Sequence, residues 1–397
     1  MGFMLKTKNK KGLCVVILLL LVGGGILFNM LRPRLLPGSE LDVTTIAPVS
    51  IAAGGSQSLA ILEDDTLWVW GASWNEDGTI EPQKEPRLTM ENVAAVFAGG
   101  STINMMITTD GTLWTQGTEI RGSRHWLVRF VWMITSLNAP RHREITAIMN
   151  NVISVDMVVT GDWSYAMAVT SDGGLWGWGQ NRSGQLGTGT TRRSYRRPTR
   201  VRGDVISVSA TSQQTFIITS DNVLWGWGDN SHGHLGVGIT ENRQSPVRIM
   251  DDVIAISGFH AITSDGILWG WGNNWRGRVG DGTEENRLTP VRIMDNVVAV
   301  SAKNSHTMAI TEDGTLWGWG LNGNGQLGDG TTEHRNSPIR IMDDVVAVTT
   351  GSFHTLAVTS DGTLWAWGSN DAGQLGDGTI EDRHNPVRVM EGVRISN

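Results

Sequence analysis

Two histidines occupy the same position in successive stretches of the chain and could, by residue type, transfer protons. His306 and His354 lie seven residues before Asp313 and Asp361, the aspartates of two Asp-Gly turns. Histidine titrates near neutral pH and is the most frequent acid–base catalyst in proteins. Elsewhere, however, this position holds Gln57, Ile103, Tyr165 and Gln214, and in one stretch His260 lies five residues before Asp265. Because the position accepts such different residue types, we predict that these histidines have a structural role.

Three Gly-Asp-Gly-Thr turns carry aspartates that could bind calcium, at Asp281, Asp329 and Asp377. A calcium loop needs several oxygen ligands at alternate positions and an anchoring carboxylate. Each of these turns offers a single aspartate, and Thr188 and Val237 replace it in two related turns. The pattern therefore predicts a turn-forming role, with no metal and no cofactor.

Signatures of covalent, metal-dependent and nucleotide chemistry are missing from the sequence. No GxSxG, HExxH, Walker or dinucleotide-binding motif occurs in the strand–helix context that each requires. Cys14 is the single cysteine, which excludes an intramolecular disulfide framework and a cysteine-based zinc site. The net charge of −7 provides no overall attraction for nucleic acid. An enzyme is not excluded, but a non-catalytic role is favoured.

A repeated Leu-Trp-x-Trp-Gly motif predicts the elements that position these residues. The chain has 18 Trp and 50 Gly beside 2 Tyr and 7 Phe, and 13 of the tryptophans lie in seven such strings, of which the second reads LWTQG. The first tryptophans of successive strings are 46, 62, 49, 44, 48 and 48 residues apart, and this regular spacing indicates a repeat architecture. The tryptophans that we assign to packing between repeats are Trp68, Trp70, Trp176, Trp178, Trp225, Trp227, Trp269, Trp271, Trp317, Trp319, Trp365 and Trp367.

Each repeat has the pattern of four short strands. Asp-Gly turns separate apolar runs, which is a strong hairpin signal, and the tryptophans alternate as they would along a strand. No segment has helical periodicity after the N-terminal region. The sequence therefore predicts an all-β, seven-bladed β-propeller over residues 47–397. Since the segment from Pro386 to Ile395 begins another unit, we expect the C-terminal strand to complete the blade that starts at Val49, which removes open sheet edges.

The repeat resembles that of a known family. Residues 348–358, followed by DGTLWAWG and GQLGDGT, are similar to the regulator of chromosome condensation repeat. The similarity covers about residues 47–397 and is weaker in the first two units. It implies a seven-bladed propeller. Its best-known member is a nuclear exchange factor for a small GTPase, bacterial relatives are exported, and one similar type is a secreted inhibitor of β-lactamases.

The N-terminal region is predicted to anchor the protein in a membrane. Residues 1–11 form a basic tail with four lysines, residues 12–31 carry no charge, and residues 32–46 form a linker. Twenty uncharged residues would span about 30 Å as a helix, and the lysines favour a cytoplasmic N-terminus with the propeller outside. A cleaved signal peptide is the alternative, in which case the propeller would be secreted.

One insertion and the arginine-rich segment after it are the candidate binding surface. The second unit inserts residues 118–145, which contain a densely apolar and aromatic run. Residues 121–202 contain 12 Arg, no Lys and four acidic residues, a balance of +8, whereas the rest of residues 41–397 has a balance of −20. Arginine suits bidentate capture of anionic groups, and aromatic residues are enriched at interfaces. The candidate residues are Arg124, Trp126, Arg129, Phe130, Trp132, Arg192, Arg193, Arg196 and Arg197.

These features predict a membrane-anchored, exported and monomeric propeller that binds a protein or an anionic cell-envelope ligand. The alternative for the insertion is burial, either as an extended strand or as a plug over the ring. The alternatives for function are an extracellular lyase or hydrolase with its site on one propeller face, a regulator resembling the GTPase exchange factors, and an inhibitor resembling the β-lactamase-inhibiting propellers. Nucleic acid is not an expected partner outside the cytoplasm.

Overall fold

Seven antiparallel sheets of four strands each form the described part of the chain. The computed structural model describes residues 50–74, 80–99, 104–116, 145–159, 164–303 and 305–395. Within each sheet the strands pair in chain order, so that every sheet is a four-stranded meander. This confirms the predicted all-β, seven-bladed β-propeller.

The strand bounds follow the sequence repeat closely. Blade 1 contains β1 (Ile51–Ala53), β2 (Gln57–Ile61), β3 (Leu67–Trp74) and β4 (Ile80–Met90), and blade 2 contains β5 (Val93–Ala98), β6 (Asn104–Thr108), β7 (Leu113–Gln116) and β8 (Ile145–Met149). Blade 3 contains β9 (Val152–Val158), β10 (Tyr165–Thr170), β11 (Leu175–Gln180) and β12 (Ser194–Arg202), and blade 4 contains β13 (Val205–Ala210), β14 (Gln214–Thr219), β15 (Leu224–Gly228) and β16 (Arg243–Met250). Blade 5 contains β17 (Val253–Ser257), β18 (His260–Thr263), β19 (Leu268–Gly272) and β20 (Arg287–Met294), and blade 6 contains β21 (Val297–Ser301), β22 (His306–Thr311), β23 (Leu316–Gly320) and β24 (Arg335–Met342). Blade 7 contains β25 (Val345–Thr350), β26 (His354–Thr359), β27 (Leu364–Gly368) and β28 (Arg383–Met390).

The four strands of a blade differ in burial because each lies at a different distance from the ring axis. First strands of neighbouring blades contact one another, which places them innermost. Second strands such as β22 and β26 are buried on both faces, since a blade packs against a neighbour on each side. Fourth strands such as β28 alternate between exposed and half-buried residues. The core therefore lies between blades, where the alternating side chains of the middle strands meet.

The two tryptophans of the Leu-Trp-x-Trp-Gly strings have different surroundings. The second tryptophans, Trp70, Trp178, Trp227, Trp271, Trp319 and Trp367, are almost completely buried between blades. The first tryptophans are half-buried, and the indole N–H of Trp365 donates to the Thr359 hydroxyl at 3.2 Å. A Cβ at Gly226, between two tryptophans, would lie 2.8 Å from the Ile249 side chain. Glycine at this position therefore permits close packing of the side chains.

A repeated set of hydrogen bonds joins each blade to the next. At the junction of blades 7 and 1, the Gln374 carbonyl accepts hydrogen bonds from the Trp70 indole at 3.0 Å and from the Ser58 hydroxyl at 2.7 Å. The Gln326 and Gln185 carbonyls accept the same pair of bonds at two other junctions. The indole of Trp70 also covers Gly376, where a Cβ would lie 2.7 Å from Nε1 and φ is +76°. Only glycine fits there without strain.

The ring closes through the end of the chain. Strand β28 remains the outer strand of blade 7, while Val393 bridges Leu62 in blade 1. The Arg394 amide donates to the Ile61 carbonyl at 2.9 Å, and its guanidinium pairs with Asp65 at 2.5 Å. The C-terminal segment thus joins blade 1 as expected, but the residues that pair there are Val393 and Arg394, since β28 belongs to blade 7.

No helix among the described residues is long and apolar enough to cross a membrane. The predicted spanning segment, residues 12–31, and the linker, residues 32–46, lie outside the described residues. The membrane anchor therefore stays a prediction.

Candidate functional site

The structure describes four of the nine candidate binding residues that the sequence predicts. Arg124, Trp126, Arg129, Phe130 and Trp132 lie outside the described residues. The remaining arginines lie at the outer edge of blade 3, exposed on β12 and on the segment before it; they are Arg192, Arg193, Arg196 and Arg197. The Arg192 guanidinium lies 5.4 Å from the centre of the Tyr195 ring.

The histidines at blade junctions are buried and hydrogen-bonded. The Thr355 hydroxyl donates its proton to the Gln326 carbonyl, so Nε2–H of His306 must be the donor in the 2.8 Å contact with Thr355. The same reasoning makes Nε2–H of His354 the donor to Ser58, at 2.9 Å. Among the described residues, neither Nδ1 atom has a hydrogen-bond partner. Burial lowers the pKa of His306 to about 3 and that of His354 to about 4. Both side chains are therefore neutral at pH 7.

The aspartates of the Gly-Asp-Gly-Thr turns serve as acceptors for their own turns. The Asp377 carboxylate accepts hydrogen bonds from the Asn370 amide at 3.0 Å, from the backbone N–H of Thr379 at 3.0 Å, and from Arg383 at 2.7 Å. Burial raises the pKa of Asp377, but hydrogen bonds from Thr379 and Arg383 outweigh it, and the net shift is downward. Asp281 and Asp329 have equivalent partners. An adjacent guanidinium opposes binding of a cation at each turn.

A pocket of about 640 Å³ lies at the mouth of the ring, where turns from blades 4 to 7 meet. We call it the ring-mouth pocket. Its apolar lining includes Phe259, Trp275 and Phe353, and its charged and titratable lining includes Asp229, His232, His234, Arg278 and Lys303. Trp275 is 54% exposed and Phe353 is 45% exposed. The pocket thus combines exposed aromatic surface with groups that can bind an anion.

Two residues of this pocket replace a glutamine that recurs elsewhere in the repeat. The Gly-x-x-Gly turns have glutamine at Gln185, Gln326 and Gln374, where the side chain is buried and accepts hydrogen bonds within its own turn. Blade 4 has His234 at this position and blade 5 has Arg278. Both backbone carbonyls still accept the indole hydrogen bond of the next blade. The framework is therefore kept while the side chain that lines the pocket is changed.

The same blade 5 turn departs from its relatives in conformation. Trp275–Gly277 forms a short 3-10 turn in which Arg276 has φ 60° and ψ 28°. In the described part of the chain, every other non-glycine residue with positive φ is an aspartate or an asparagine. Those residues tolerate the left-handed region, whereas arginine has no local compensation for it. Such outliers cluster at functional sites. The Arg276 guanidinium lies 5.2 Å from the Trp275 ring centre.

The charges in the pocket are set by burial and by neighbouring groups. Burial lowers the pKa of His234 to about 4, with Asp229 opposing the shift and Arg278 adding to it. The His234 ring is therefore neutral at pH 7, and it stacks on Phe259 with centroids 5.0 Å apart. The Ser231 hydroxyl lies 3.0 Å from an Asp229 carboxylate oxygen. Burial also lowers the pKa of Arg278, but arginine remains charged in proteins.

Lys303 connects the pocket to the centre of the ring. Its ammonium lies 3.5 Å from Asp156 on β9 of blade 3, although 147 residues separate the two. The second oxygen of Asp156 accepts the Ala210 amide at 2.9 Å. Ser209 and Ser257 accept the corresponding amides, those of Gly258 and Ala302, at later junctions. Asp156 thus replaces a hydroxyl residue and adds a negative charge that Lys303 neutralises.

The pocket was not identified from the sequence, although a signal was present. Aligning the five Gly-x-x-Gly turns of blades 3 to 7 shows Trp275, Arg276 and Arg278 as departures from the repeat, in the same way that the insertion of residues 118–145 is a departure. The long insertion can be recognised from spacing alone because it changes the repeat length. Substitutions at constant length do not, so position-by-position comparison of the turns would have been needed to find them.

Comparison with known proteins agrees with the blade architecture. Residues 202–396 match the RCC1-like domain family, and residues 172–218 match the regulator of chromosome condensation (RCC1) repeat. The chain is 28% identical to human E3 ubiquitin-protein ligase HERC2 over 170 residues, which cover 41% of this chain and 3% of HERC2. It is 30% identical to the Arabidopsis thaliana ultraviolet-B receptor UVR8 over 152 residues, which cover 35% of this chain and 31% of UVR8. The matches thus span only a minor part of these relatives.

A solved structure extends the similarity to most of the ring. Prp20p from Saccharomyces cerevisiae superposes with a TM-score of 0.67 at 20% sequence identity, covering 84% of this chain and 87% of Prp20p. At this identity the likeness establishes the fold. From the repeat matches and the seven four-stranded blades, we conclude that residues 172–396 consist of regulator of chromosome condensation repeats and form part of a seven-bladed β-propeller.

Proposed function

We propose that this chain is a protein-binding propeller that recognises its partner with the ring-mouth pocket. The observation that carries the proposal is the exposed pair Trp275 and Phe353 on the rim of a pocket that also contains Arg278 and Lys303. Aromatic residues and arginine are the types that dominate binding energy at protein interfaces. Protein recognition is also reported for a protein with this fold, since Prp20p is described by its binding to Gsp1p and histones.

The repeat itself supports a binding role for these residues. Most sister turns have small or polar residues at the positions of Trp275 and Phe353, for example Ser231 and Ser305, although blade 5 also has an aromatic residue, Phe259, at the second position. The blades therefore do not need large aromatic side chains at these two positions in order to fold. Solvent-exposed aromatic surface that the framework does not require is best explained by a partner that covers it.

Repeat-guided substitutions test the proposal with little risk to the fold. Trp275→Ser and Phe353→Ser copy the residues of sister turns, and Ile380→Thr is the matched control, because Ile380 is 48% exposed outside the pocket and Thr332 is its counterpart. The full-length proteins would be used for affinity capture from detergent-solubilised cell envelope, with melting temperatures measured in parallel. We expect the pocket variants to lose a partner that the wild type and the control retain.

A second arm of the same experiment tests the surface favoured by the sequence. Replacing the four exposed arginines of blade 3, Arg192, Arg193, Arg196 and Arg197, by glutamine removes the charge of that edge without altering the pocket. Replacing Trp126 and Trp132 by alanine tests the insertion. If the partner is lost with these variants and kept by Trp275→Ser and Phe353→Ser, the blade 3 surface is the binding site and the pocket proposal is wrong.

We further propose that residues 12–31 hold the propeller at the outer side of a membrane. The support is the uncharged segment of 20 residues, with four lysines before it and two arginines after it. External protease added to intact cells should then digest residues 47–397. A propeller that is degraded only after the cells are lysed would contradict an exported location and would return the GTPase-regulator alternative to consideration.

A further inference from the structure

We propose that the outer edge of blade 3 is a second binding surface, which takes a linear, base-free phosphodiester polymer. We call this surface the arginine edge, and its arginines, on β12 and just before it, are Arg192, Arg193, Arg196, Arg197 and Arg200. All five are exposed and lie within nine residues, which span at most about 30 Å of extended chain. The inference goes beyond the proposed function, because none of these arginines lines the ring-mouth pocket.

The arginine edge reverses the charge that the repeat has at this place. Tyr195 pairs with Gly179 in the same way that Arg335 pairs with Gly320 in blade 6, which aligns the outer strands. Two residues before this position, blade 3 has Arg193, whereas blades 1 and 4 to 7 have glutamate, at Glu81, Glu241, Glu285, Glu333 and Glu381. The position of Arg197 is uncharged in blades 4 to 7, where it holds Ser245, Thr289, Ser337 and Asn385. A blade therefore folds without these arginines.

Neutral hydrogen bonds replace the ion pairs of the sister turns and leave Arg193 without a structural role. In blade 6, Arg335 pairs with the turn aspartate and lies 3.4 Å from Glu333. Blade 7 has the same arrangement. In blade 3 the arginine is replaced by Tyr195, whose hydroxyl lies 3.1 Å from that of Thr188, the residue that replaces the aspartate. The turn is thus held without charges, and Arg193 is not part of its framework.

The described residues around the arginine edge do not balance its charge. Within the part of the chain that the structure describes, three guanidinium groups form no hydrogen bond or ion pair, those of Arg193, Arg196 and Arg197. Arg200 lies 3.8 Å from Asp172, but both side chains are more than half exposed, so this pair is weak. The insertion in the preceding unit, residues 118–145, contains five Arg and two Glu, so its own balance is positive. An external anion is therefore needed to match these charges.

The arginine edge offers charge without the features that protein or nucleic acid partners require. Protein interfaces have an apolar core, but every exposed residue of β12 is an arginine. Pro198 provides no N–H in the middle of this strand, which opposes the addition of a partner strand. Single-stranded nucleic acid stacks on exposed aromatic residues, whereas Tyr195 is half-buried and hydrogen-bonded. A polymer that is recognised through its charges alone fits these properties.

The grouping of the arginines favours phosphodiester groups. Arg192 and Arg193 are adjacent, and so are Arg196 and Arg197, which are both exposed where the pairing of β11 with β12 is irregular. A phosphodiester group has four oxygens that point in different directions, so it accepts from two guanidinium groups more readily than a planar carboxylate does. A linear polymer carries such groups at regular intervals, and one chain can therefore contact both arginine pairs.

The test uses the full-length protein in a neutral detergent and a fluorescently labelled synthetic glycerol-phosphate oligomer. Binding is measured by fluorescence anisotropy over a range of salt concentrations, and melting temperatures are measured in parallel. The edge variant has glutamine in place of Arg192, Arg193, Arg196 and Arg197. Its matched control removes as many positive charges from the outer strands of blades 4 to 7, where each arginine pairs with an acidic residue, by Arg248→Gln, Arg292→Gln, Arg340→Gln and Arg388→Gln.

We expect the oligomer to bind the wild type and the control, with an affinity that falls as salt is added. Counterion release gives a slope of log K against log salt of about −0.7 for each phosphate contacted, so the loss of four contacts should reduce the slope by about 3. Arg193→Glu alone restores the residue of five sister blades and should also weaken binding. It keeps the test decisive if the edge variant melts at a lower temperature than the wild type.

The proposal is overturned if the oligomer does not bind the wild type, or if the edge variant and Arg193→Glu bind it with unchanged affinity and slope. It is also overturned if the control loses as much affinity as the edge variant. Polyglutamate and a single-stranded oligonucleotide of the same length serve as further probes. Tighter binding of either one than of the glycerol-phosphate oligomer would refute the choice of a base-free phosphodiester polymer.

The proposed function is tested separately by capture of a partner protein. If the edge variant loses a captured protein while the wild type binds no oligomer, the arginine edge serves a protein partner and the polymer proposal is wrong. If binding of the oligomer depends on the arginine edge, that result stands whatever the effect of Trp275→Ser on capture of a partner.

Discussion

Replacing the two buried histidines at blade junctions should remove much of the acid sensitivity of the ring. In His306→Gln combined with His354→Gln, the new residues match Gln57 and Gln214, which occupy this position in blades 1 and 4. Each histidine donates through Nε2–H, and its buried Nδ1 has no partner among the described residues. Protonating Nδ1 would bury a charge and a donor without an acceptor, which explains why both pKa values are lowered.

The sign and the size of the effect follow from these pKa values. The pKa of each histidine is 6.5 in the unfolded chain and is lowered to about 3 for His306 and about 4 for His354 in the folded protein. The stability contributed by each neutral histidine is therefore fully present above pH 6.5. It is lost as the pH falls towards the folded pKa, because the unfolded chain then binds protons that the folded protein does not. Between about pH 7.5 and about pH 5, the linkage relation gives a loss of about 2 kcal/mol for each histidine. Over this pH interval, the free energy of unfolding should therefore fall by about 4 kcal/mol less in the double variant than in the wild type.

Guanidinium unfolding at the two pH values measures this difference. The comparison is made within each protein, so any change in stability from the substitution at neutral pH cancels. His384→Gln is the control, because it replaces a histidine that is exposed on β28 and leaves both blade junctions intact. Equal acid destabilisation of the wild type and the double variant would refute the assignment of neutral, buried histidines at these junctions.

Two further predictions concern closure of the ring and the turn aspartates. Deleting residues 393–397 removes the bridge to Leu62 and the Arg394–Asp65 pair, and deleting residues 384–397 also removes most of β28. We expect both truncated proteins to melt cooperatively at a lower temperature than the wild type. An unchanged melting temperature would contradict closure of the ring through the C-terminal segment. Asp377→Ala leaves the amide of Asn370 and the guanidinium of Arg383 without their acceptor, and it should lower the free energy of unfolding, measured by chemical denaturation, by about 1–3 kcal/mol. Added calcium should leave the melting temperature of the wild type unchanged.

The blade could be predicted from the sequence because its information is local. A strand exposes alternate side chains to opposite faces, so the Trp-x-Trp spacing at Trp365 and Trp367 predicts a strand from neighbouring residues alone. The Asp-Gly turns and the spacing near fifty residues then give four strands and seven units. The residue variation at the position of His306 and His354 also indicated a structural role, and the structure places both side chains in buried hydrogen bonds between blades.

The ring-mouth pocket was decided only by the tertiary structure. Its lining comes from turns of four blades, which ring closure brings together, and its lysine reaches an aspartate 147 residues away in sequence. No local pattern encodes such a distance, since it depends on how far each blade rotates about the axis. The sequence does contain the substitutions Trp275, Arg276 and Arg278, but their meaning depends on which turns face one another. Local periodicity therefore determines the blades, and the packing of blades around a closed ring determines which exceptional residues share a site.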